Sequence, residues 1–385
     1  MKPNDEQNDL PENEQEVQQN PLTAKKIALF VLYAVIAACL LMTVLSFNDL
    51  PGIIEQVKTV DFRFVLLAAL MVLIYMALYP LSLCILTKAR GCDIHFSTTY
   101  CIAMTEHFFN GITPLATGGQ PFQAHEYSRA KVKISESTGL LLTNLLIYLA
   151  VTTGFSLVGL AYFNVYTSTA EPWWIPIIIV GYTLNFSVLV AIVILGTSRK
   201  VRHGLMHLIY FFCKFRLFRR FESKAESISR YFKQVQQAFA DLTKKKGAFA
   251  LAFLTKILSF AFLYSSTFFI LLSMNVDMKI EHLPLALLGT CFAVTAVGFI
   301  PTPGASGGVE GSAGQVLRSI IVFVMGDAIL AASTNMANGV MLIWRLISYY
   351  FVMAISLVFY VALEIYFNRK KKKEQLAAQS PFADQ

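Results

Sequence analysis

From about residue 24 onward the chain alternates long apolar runs with short polar ones. The runs Ile27–Phe47, Phe64–Thr87, Leu140–Phe163, Trp174–Gly196, Ala248–Leu272 and Val340–Phe367 are each long enough to cross a bilayer as a helix. Two further apolar stretches, near 98–122 and 283–335, are broken by Gly and Pro. Residues 1–23 are polar, rich in Asn, Gln and Glu and without apolar periodicity, which predicts a disordered tail. The run Ile27–Phe47 is too long for a signal-peptide core and lacks a small-residue cleavage site, so it reads as a retained span.

Composition agrees with this pattern. Hydrophobic residues make up 56% of the chain and charged residues 15%, against roughly 25% charged in a soluble protein. So much apolar surface exceeds what a soluble core hides, which excludes a soluble enzyme, a secreted disulfide scaffold and a nucleic-acid binder. The six cysteines form no CxxC pair and no metal-ligand spacing with histidine, so none is assigned a function.

Charge orients the spans, because basic loops stay in the cytoplasm. Lys25 and Lys26 place the N-terminus inside; Lys88 and Arg90, and again Arg129, Lys131 and Lys133, mark inside loops. The stretch between those two loops therefore enters and leaves on one face, as a re-entrant hairpin over 98–127. The loop before Trp173 and Trp174 has no Lys or Arg and reads as outside. Arg199 to Lys246 holds 13 Lys/Arg against 3 Asp/Glu, and Arg369 to Lys373 are five consecutive cations, so both lie inside. For the count to close, 283–335 must be a second hairpin that opens the opposite way. The expected fold is an all-α polytopic membrane protein of six spans and two oppositely oriented re-entrant hairpins, with both termini cytoplasmic. Its halves are 24–196 and 248–367, joined by a basic segment over 197–247 and followed by a basic tail, 368–385. Within the basic segment Phe211, Phe212, Phe215, Leu217, Phe218 and Phe221 alternate with charges, as in a helix lying on an anionic inner leaflet; a charged linker that only sets topology is the alternative.

The two hairpin tips read alike. Thr113-Pro114-Leu-Ala-Thr-Gly118-Gly119 matches Thr302-Pro303-Gly-Ala-Ser-Gly307-Gly308 at five of seven positions. Placed at the tips of opposed hairpins, with a span before and after each, the match predicts an inverted repeat, and paired interrupted segments point to a transport pathway. The prolines forbid continuous helix, and unwound backbone survives at membrane depth only in a wet cavity or buried in protein. The amides that open the following half-helix then favour an anion such as a phosphate. Tight turns packed against neighbours, with Gly for close approach, remain the alternative.

Polar residues sharpen the expected pathway. Asn110, Thr113, Pro114, Gly118, Gly119 and Gln120 would line one side, and Thr302, Pro303, Gly307, Gly308 and Glu310 the other. Glu310, directly after the Gly pair, is expected to meet a cation, a proton or a substrate amine, or else to form an internal ion pair with Arg318 or Arg345. Glu106 and His107, one turn before Asn110, suit a proton relay or a structural cap. Lys256 and Arg345 lie inside full spans, where each could hold a lipid phosphate or snorkel to an interface. No nucleotide-binding, metal-ligand or catalytic-triad pattern is present, so no cofactor, metal or catalytic residue is expected.

Phe108-Phe-Asn-Gly-Ile-Thr-Pro114 with Gly118-Gly-Gln-Pro121, Pro301-Thr-Pro303 with Gly307-Gly-Val-Glu-Gly311, and Trp344-Arg345 resemble the flippase-like family, the transmembrane region of lysylphosphatidylglycerol synthases and its stand-alone relatives. The resemblance spans roughly 25–367. It implies a multi-pass protein of the bacterial inner membrane that moves a phospholipid or lipid-linked head group, such as aminoacylated phosphatidylglycerol, between leaflets. In the full-length multiple peptide resistance factors a separate cytosolic domain transfers lysine from charged tRNA. Only 18 residues follow Phe367 here, too few for that domain. Phosphatidylglycerol lysyltransferase activity, with its link to cationic-peptide resistance, and a membrane partner or scaffold of a separate synthase remain the rival readings. The implied partners are the lipid substrate, anionic inner-leaflet lipids and such a synthase, with no nucleic acid bound by this chain.

Overall fold

The computed structural model describes residues 50–166, 174–198, 200, 204 and 225–378. The tail 1–23, the span Ile27–Phe47, Trp173 and the aromatic positions 211–221 lie outside the described residues. Every regular element among those described is helical: α1 (Leu50–Lys58), α2 (Phe62–Leu78), α3 (Leu81–Arg90), α4 (Phe96–Ile112), α5 (Gly119–Arg129), α6 (Ile134–Tyr166), α7 (Trp174–Thr197), α8 (Ala225–Lys244), α9 (Lys246–Ser273), α10 (Leu283–Val297), α11 (Gly308–Met325), α12 (Leu330–Arg345) and α13 (Val352–Ala378). A π-helical turn, Leu346–Phe351, joins α12 to α13.

Among the described residues, seven helical runs are long and apolar enough to cross a membrane. Five coincide with the spans expected after Phe47. The other two, Ile280–Val297 and Gly308–Met325, are the arms of the second hairpin, 18 residues each, or about 27 Å at 1.5 Å per residue. The first hairpin is shorter on its return: α5 has 11 residues, about 16 Å, half the thickness of a hydrocarbon core.

Two predicted spans differ in detail. Phe64–Thr87 is not one helix but α2 and α3, separated at Tyr79–Pro80. Pro80 has no N–H and crowds the turn before it. The freed carbonyls find side-chain partners: the Tyr100 hydroxyl lies 3.3 Å from both Met76 O and Ala77 O, and Lys256 Nζ donates to Tyr79 O at 3.2 Å. The last span begins ten residues earlier than predicted, at Leu330, because Asp327–Ile329 already closes the second hairpin as a 3₁₀ turn.

Many hydroxyls within the apolar helices are satisfied inside their own helix. In α9, Thr255, Ser259, Ser265, Ser266 and Ser273 all donate to carbonyls three or four residues back.

The packing is crosswise. α9 lies along α2; α4, the incoming arm of the first hairpin, packs on α13; α10, the incoming arm of the second, packs on α6. Each hairpin thus leans on the helix that follows the other hairpin. The α4–α13 contact includes an insertion: Ser356 Oγ accepts from Phe108 N at 3.0 Å and donates to Met104 O at 2.5 Å, interrupting the α4 backbone ladder. α8 is amphipathic, and its buried face of Val235, Ala238, Phe239 and Leu242 meets protein. Gln236 donates to Leu195 O and Ser198 O, and Gly139 and Gly196 give room to Ala238 and Phe239.

Charges gather where α3, α5, α8 and α13 end. Arg90 pairs with Glu136 and Asp241, Arg129 with Glu126 and Glu364, and Lys131 with Glu374, while Lys245 donates to Ala89 O. The start and finish of the first hairpin are therefore neighbours of the start of α9. The far end of α9 meets the start of α2 through Asp61 N to Ser273 O at 2.9 Å, and the second hairpin departs from there.

Candidate functional site

The two tips meet. Pro114 and Pro303, equivalent positions in the matching heptapeptides, form an isolated antiparallel bridge. Neither proline has an N–H, so neither can donate to the other across the bridge.

The turns themselves are alike. Leu115 and Ala116 have φ of 57° and 51°, and Gly304 and Ala305 have 62° and 50°. Two successive left-handed residues closed by an i to i+3 bond make a type I′ turn: Thr117 N donates to Pro114 O at 3.4 Å, and Ser306 N to Pro303 O at 3.3 Å. The hydroxyls of Thr117 and Ser306 reach the same proline carbonyls at 3.1 and 2.9 Å. A helix opens at the second glycine of each pair. The first pair is glycine for close approach, since a Cβ on Gly118 would stand 2.8 Å from Phe109 O, and one on Gly119 2.6 Å from Asn110 Oδ1.

The amides opening these helices are held from within the protein. Gly118 N donates to Thr113 Oγ1 at 2.9 Å and Gly119 N to Asn110 Oδ1 at 2.8 Å. In the second tip Gly307 N donates to Glu310 Oε2 at 2.6 Å, a carboxylate reaching back from the third helical position as in a capping box. Thr302 turns its hydroxyl onto Ser306 O.

Each tip has a buried carboxylate. Glu310 is 2% exposed, and its Oε1 accepts from Arg345 Nε at 2.7 Å. Arg345 also donates to Gly304 O at 3.0 Å and lies over the Tyr349 ring. Of the partners considered for Glu310, the structure selects Arg345; Arg318 donates instead to Ser333 Oγ. Arg345 does not snorkel, because it is bound on both sides within the protein. Tyr349, which sequence reasoning missed, joins the tips: its hydroxyl donates to Gly111 O at 2.7 Å, and a Cβ on Gly304 would fall 2.5 Å from its ring. The π-turn carries Tyr349 here, and such turns in helices recur at functional sites.

Glu106, beside the first tip, accepts from Gln120 Nε2 at 3.2 Å and Gln123 Nε2 at 3.4 Å. Lys256 is fully buried rather than snorkelling, its Nζ 3.0 Å from the centre of the Tyr79 ring. His107 packs against Tyr79, the two ring centres 4.4 Å apart. Sequence reasoning missed Tyr79 as well, although Pro80 marked the place. The structure thus places Asn110, Thr113, Pro114, Gly118, Gly119 and Gln120 at the first tip and Thr302, Pro303, Gly307, Gly308 and Glu310 at the second, with Lys256 and His107 against Tyr79. Away from the tips, Glu126 is buried near the end of α5 with Arg129. Among the described residues no group of three or more His, Cys, Asp or Glu side chains could hold a metal ion.

Fold and site together define a multi-pass helical membrane protein built around two broken hairpins that touch. The chain belongs to the family described as the lysylphosphatidylglycerol synthase TM region, which matches residues 28–356. A comparison with curated proteins finds no match.

Proposed function

We propose that this protein translocates a phospholipid or lipid-linked head group between the leaflets of a bacterial cell membrane, with the paired tips as the barrier the head group passes. The two halves are read as an inverted repeat, its axis at the Pro114–Pro303 bridge, with re-entrant hairpins open to opposite sides and both termini inside. One observation carries this reading: two equivalent broken tips, folded alike, abut each other and have a buried carboxylate apiece. Irregular backbone of this kind is tolerated in a membrane only where protein or a wet cavity satisfies it, and interrupted segments in corresponding positions of two halves point to the substrate site.

The tips divide the work. In the first, neutral oxygens of Asn110 and Thr113 hold the amides of Gly119 and Gly118. A phosphate oxygen is a stronger, charge-assisted acceptor and can take their place. In the second, the Gly307 amide is already held by a carboxylate that is itself ion-paired. The first tip is thus the head-group end, where Pro114, Leu115, Ala116 and Thr117 are exposed, and the second is the anchor.

The test is translocation of fluorescent phosphatidylglycerol and its lysyl ester in proteoliposomes. Wild type is expected to move at least one of them, and Gly118→Leu to abolish the movement while the protein still reconstitutes. Wild-type protein that moves neither lipid would overturn the reading.

A further inference from the structure

The two buried carboxylates have different company. Glu310 touches a guanidinium, which stays charged at any accessible pH. Among the described residues, none of the ion pairs within 4.0 Å involves Glu106 or Lys256. Glu106 is instead held by two carboxamide N–H donors, which suit an ionised carboxylate. Lys256 is fully buried, yet its ammonium, with three donors, has one carbonyl acceptor and one ring face. The titratable groups facing this pair are Tyr75 and Tyr79 at the end of α2, Cys84 on α3, His107 on α4 and Tyr148 on α6. His107 adds a buried Nε2 that has no hydrogen-bond partner.

We propose that Glu106 and Lys256 form a proton-binding site coupled to the first tip, the proton being taken up and released at Lys256 Nζ. The proposal rests on the translocation reading above. With the amine neutral, the pair bears the single negative charge of Glu106, held by Gln120 and Gln123. Uptake of one proton makes the ammonium and brings the pair to zero. In neither form do the two groups make the direct ion contact that locks Glu310 to Arg345.

Coupling to the tip is short. Gln120 lies in the first turn of α5, directly behind the Gly118–Gly119 pair, and Glu106 Cγ stands 2.8 Å from where a Gly119 Cβ would be. An ammonium at Lys256 draws the carboxylate away from Gln120. That releases the helix start whose amides are proposed to meet the phosphate. A pH difference across the membrane then biases which way the head group moves.

Two measurements test this on the full chain. In proteoliposomes with an imposed pH difference, the initial translocation rate is expected to change by about fivefold or more. The response should vanish in Lys256→Met and in Lys256→Arg, which cannot release a proton, while Lys131→Met, at an exposed lysine paired with Glu374, keeps it. Independently of transport, lysine side-chain ¹⁵N NMR should show one Nζ resonance that exchanges between ammonium and amine forms on a pH step and is absent from Lys256→Met. A pH response that survives in Lys256→Met, or an NMR spectrum without that exchanging resonance, overturns the site. If wild type moves no lipid but the resonance is present, the translocation reading fails and the proton site stands.

Discussion

The two tips share a backbone and differ in chemistry. Both make the same turn at Pro114–Thr117 and Pro303–Ser306, with the same hydroxyl on the same carbonyl. Around the second, a carboxylate and a guanidinium close a loop of charge-assisted bonds through Gly307 N, Glu310, Arg345 and Gly304 O. Around the first, the Gly118 and Gly119 amides are held by neutral oxygens, and the buried Glu106 carboxylate is reached through the side chain of Gln120, with no cation in contact with it among the described residues. A repeated motif can therefore be rigid in one copy and exchangeable in the other without any difference in fold. Charge-assisted bonds are about twice as strong as neutral ones, so the asymmetry follows from the side chains alone.

The largest blow to this contrast is removal of Arg345. Arg345→Ala leaves Glu310 buried without its cation and should cost about 3–5 kcal/mol of stability, read as thermal unfolding in detergent. The double variant Arg345→Met with Glu310→Met should recover most of that loss. A recovery absent from the double variant would mean that the pair does not act as a unit. Exchanging the third residue of each tip sharpens the comparison at the level of the backbone. Gly304→Leu faces the Tyr349 ring and a left-handed φ of 62°, a strain of about 1–2 kcal/mol before the clash is counted. Leu115→Gly, at the corresponding place, should stabilise by up to about 1 kcal/mol, because Leu115 already holds φ at 57°. Opposite signs for the two changes are the expected outcome. The smallest effect belongs to the link between the tips. Tyr349→Phe loses the bond to Gly111 O and should cost about 1 kcal/mol, leaving the Arg345–Glu310 pair intact.

Much of this was legible in the chain. The matched heptapeptides located both turns, and the apolar runs located the spans, because each signal is local: proline and glycine dictate their own backbone, and apolar length dictates crossing. The charge pairings were not local. Glu310 and Arg345 are 35 residues apart, and Lys256 meets a carbonyl 177 residues away, so only packing decides which candidate cation arrives. Sequence reasoning kept Arg318 and Arg345 open for Glu310 because both were sterically reachable in principle. It missed the break at Pro80 because the apolar run continues across it, and hydropathy does not register a missing N–H. It missed Tyr349 because one aromatic among many carries no signal until a π-turn reorients it toward the tips.

The helix that bears the second tip has an unusual seat. On α10, Leu288 O lies 2.4 Å from where a Cβ of Gly159 would be, and Ala296 O lies 1.9 Å from that of Gly181. Backbone rests on backbone on two sides, with α6 and α7 supplying the bare surfaces, and Asn185 pins Thr295 O at 3.1 Å. Helices that touch through long side chains can slide as those side chains change rotamer. α10 also meets α6 and α7 through rings, Phe292 lying 6.1 Å from both Phe163 and Tyr182, as α4 meets α13 across the rings of Phe108, Phe109 and Tyr360; the two backbone contacts are what set α10 apart. In mechanical terms, the translocation proposed above would make α10 the stator, held by backbone at Gly159 and Gly181, and would leave the opening stroke at Pro114 and Pro303 to the first hairpin.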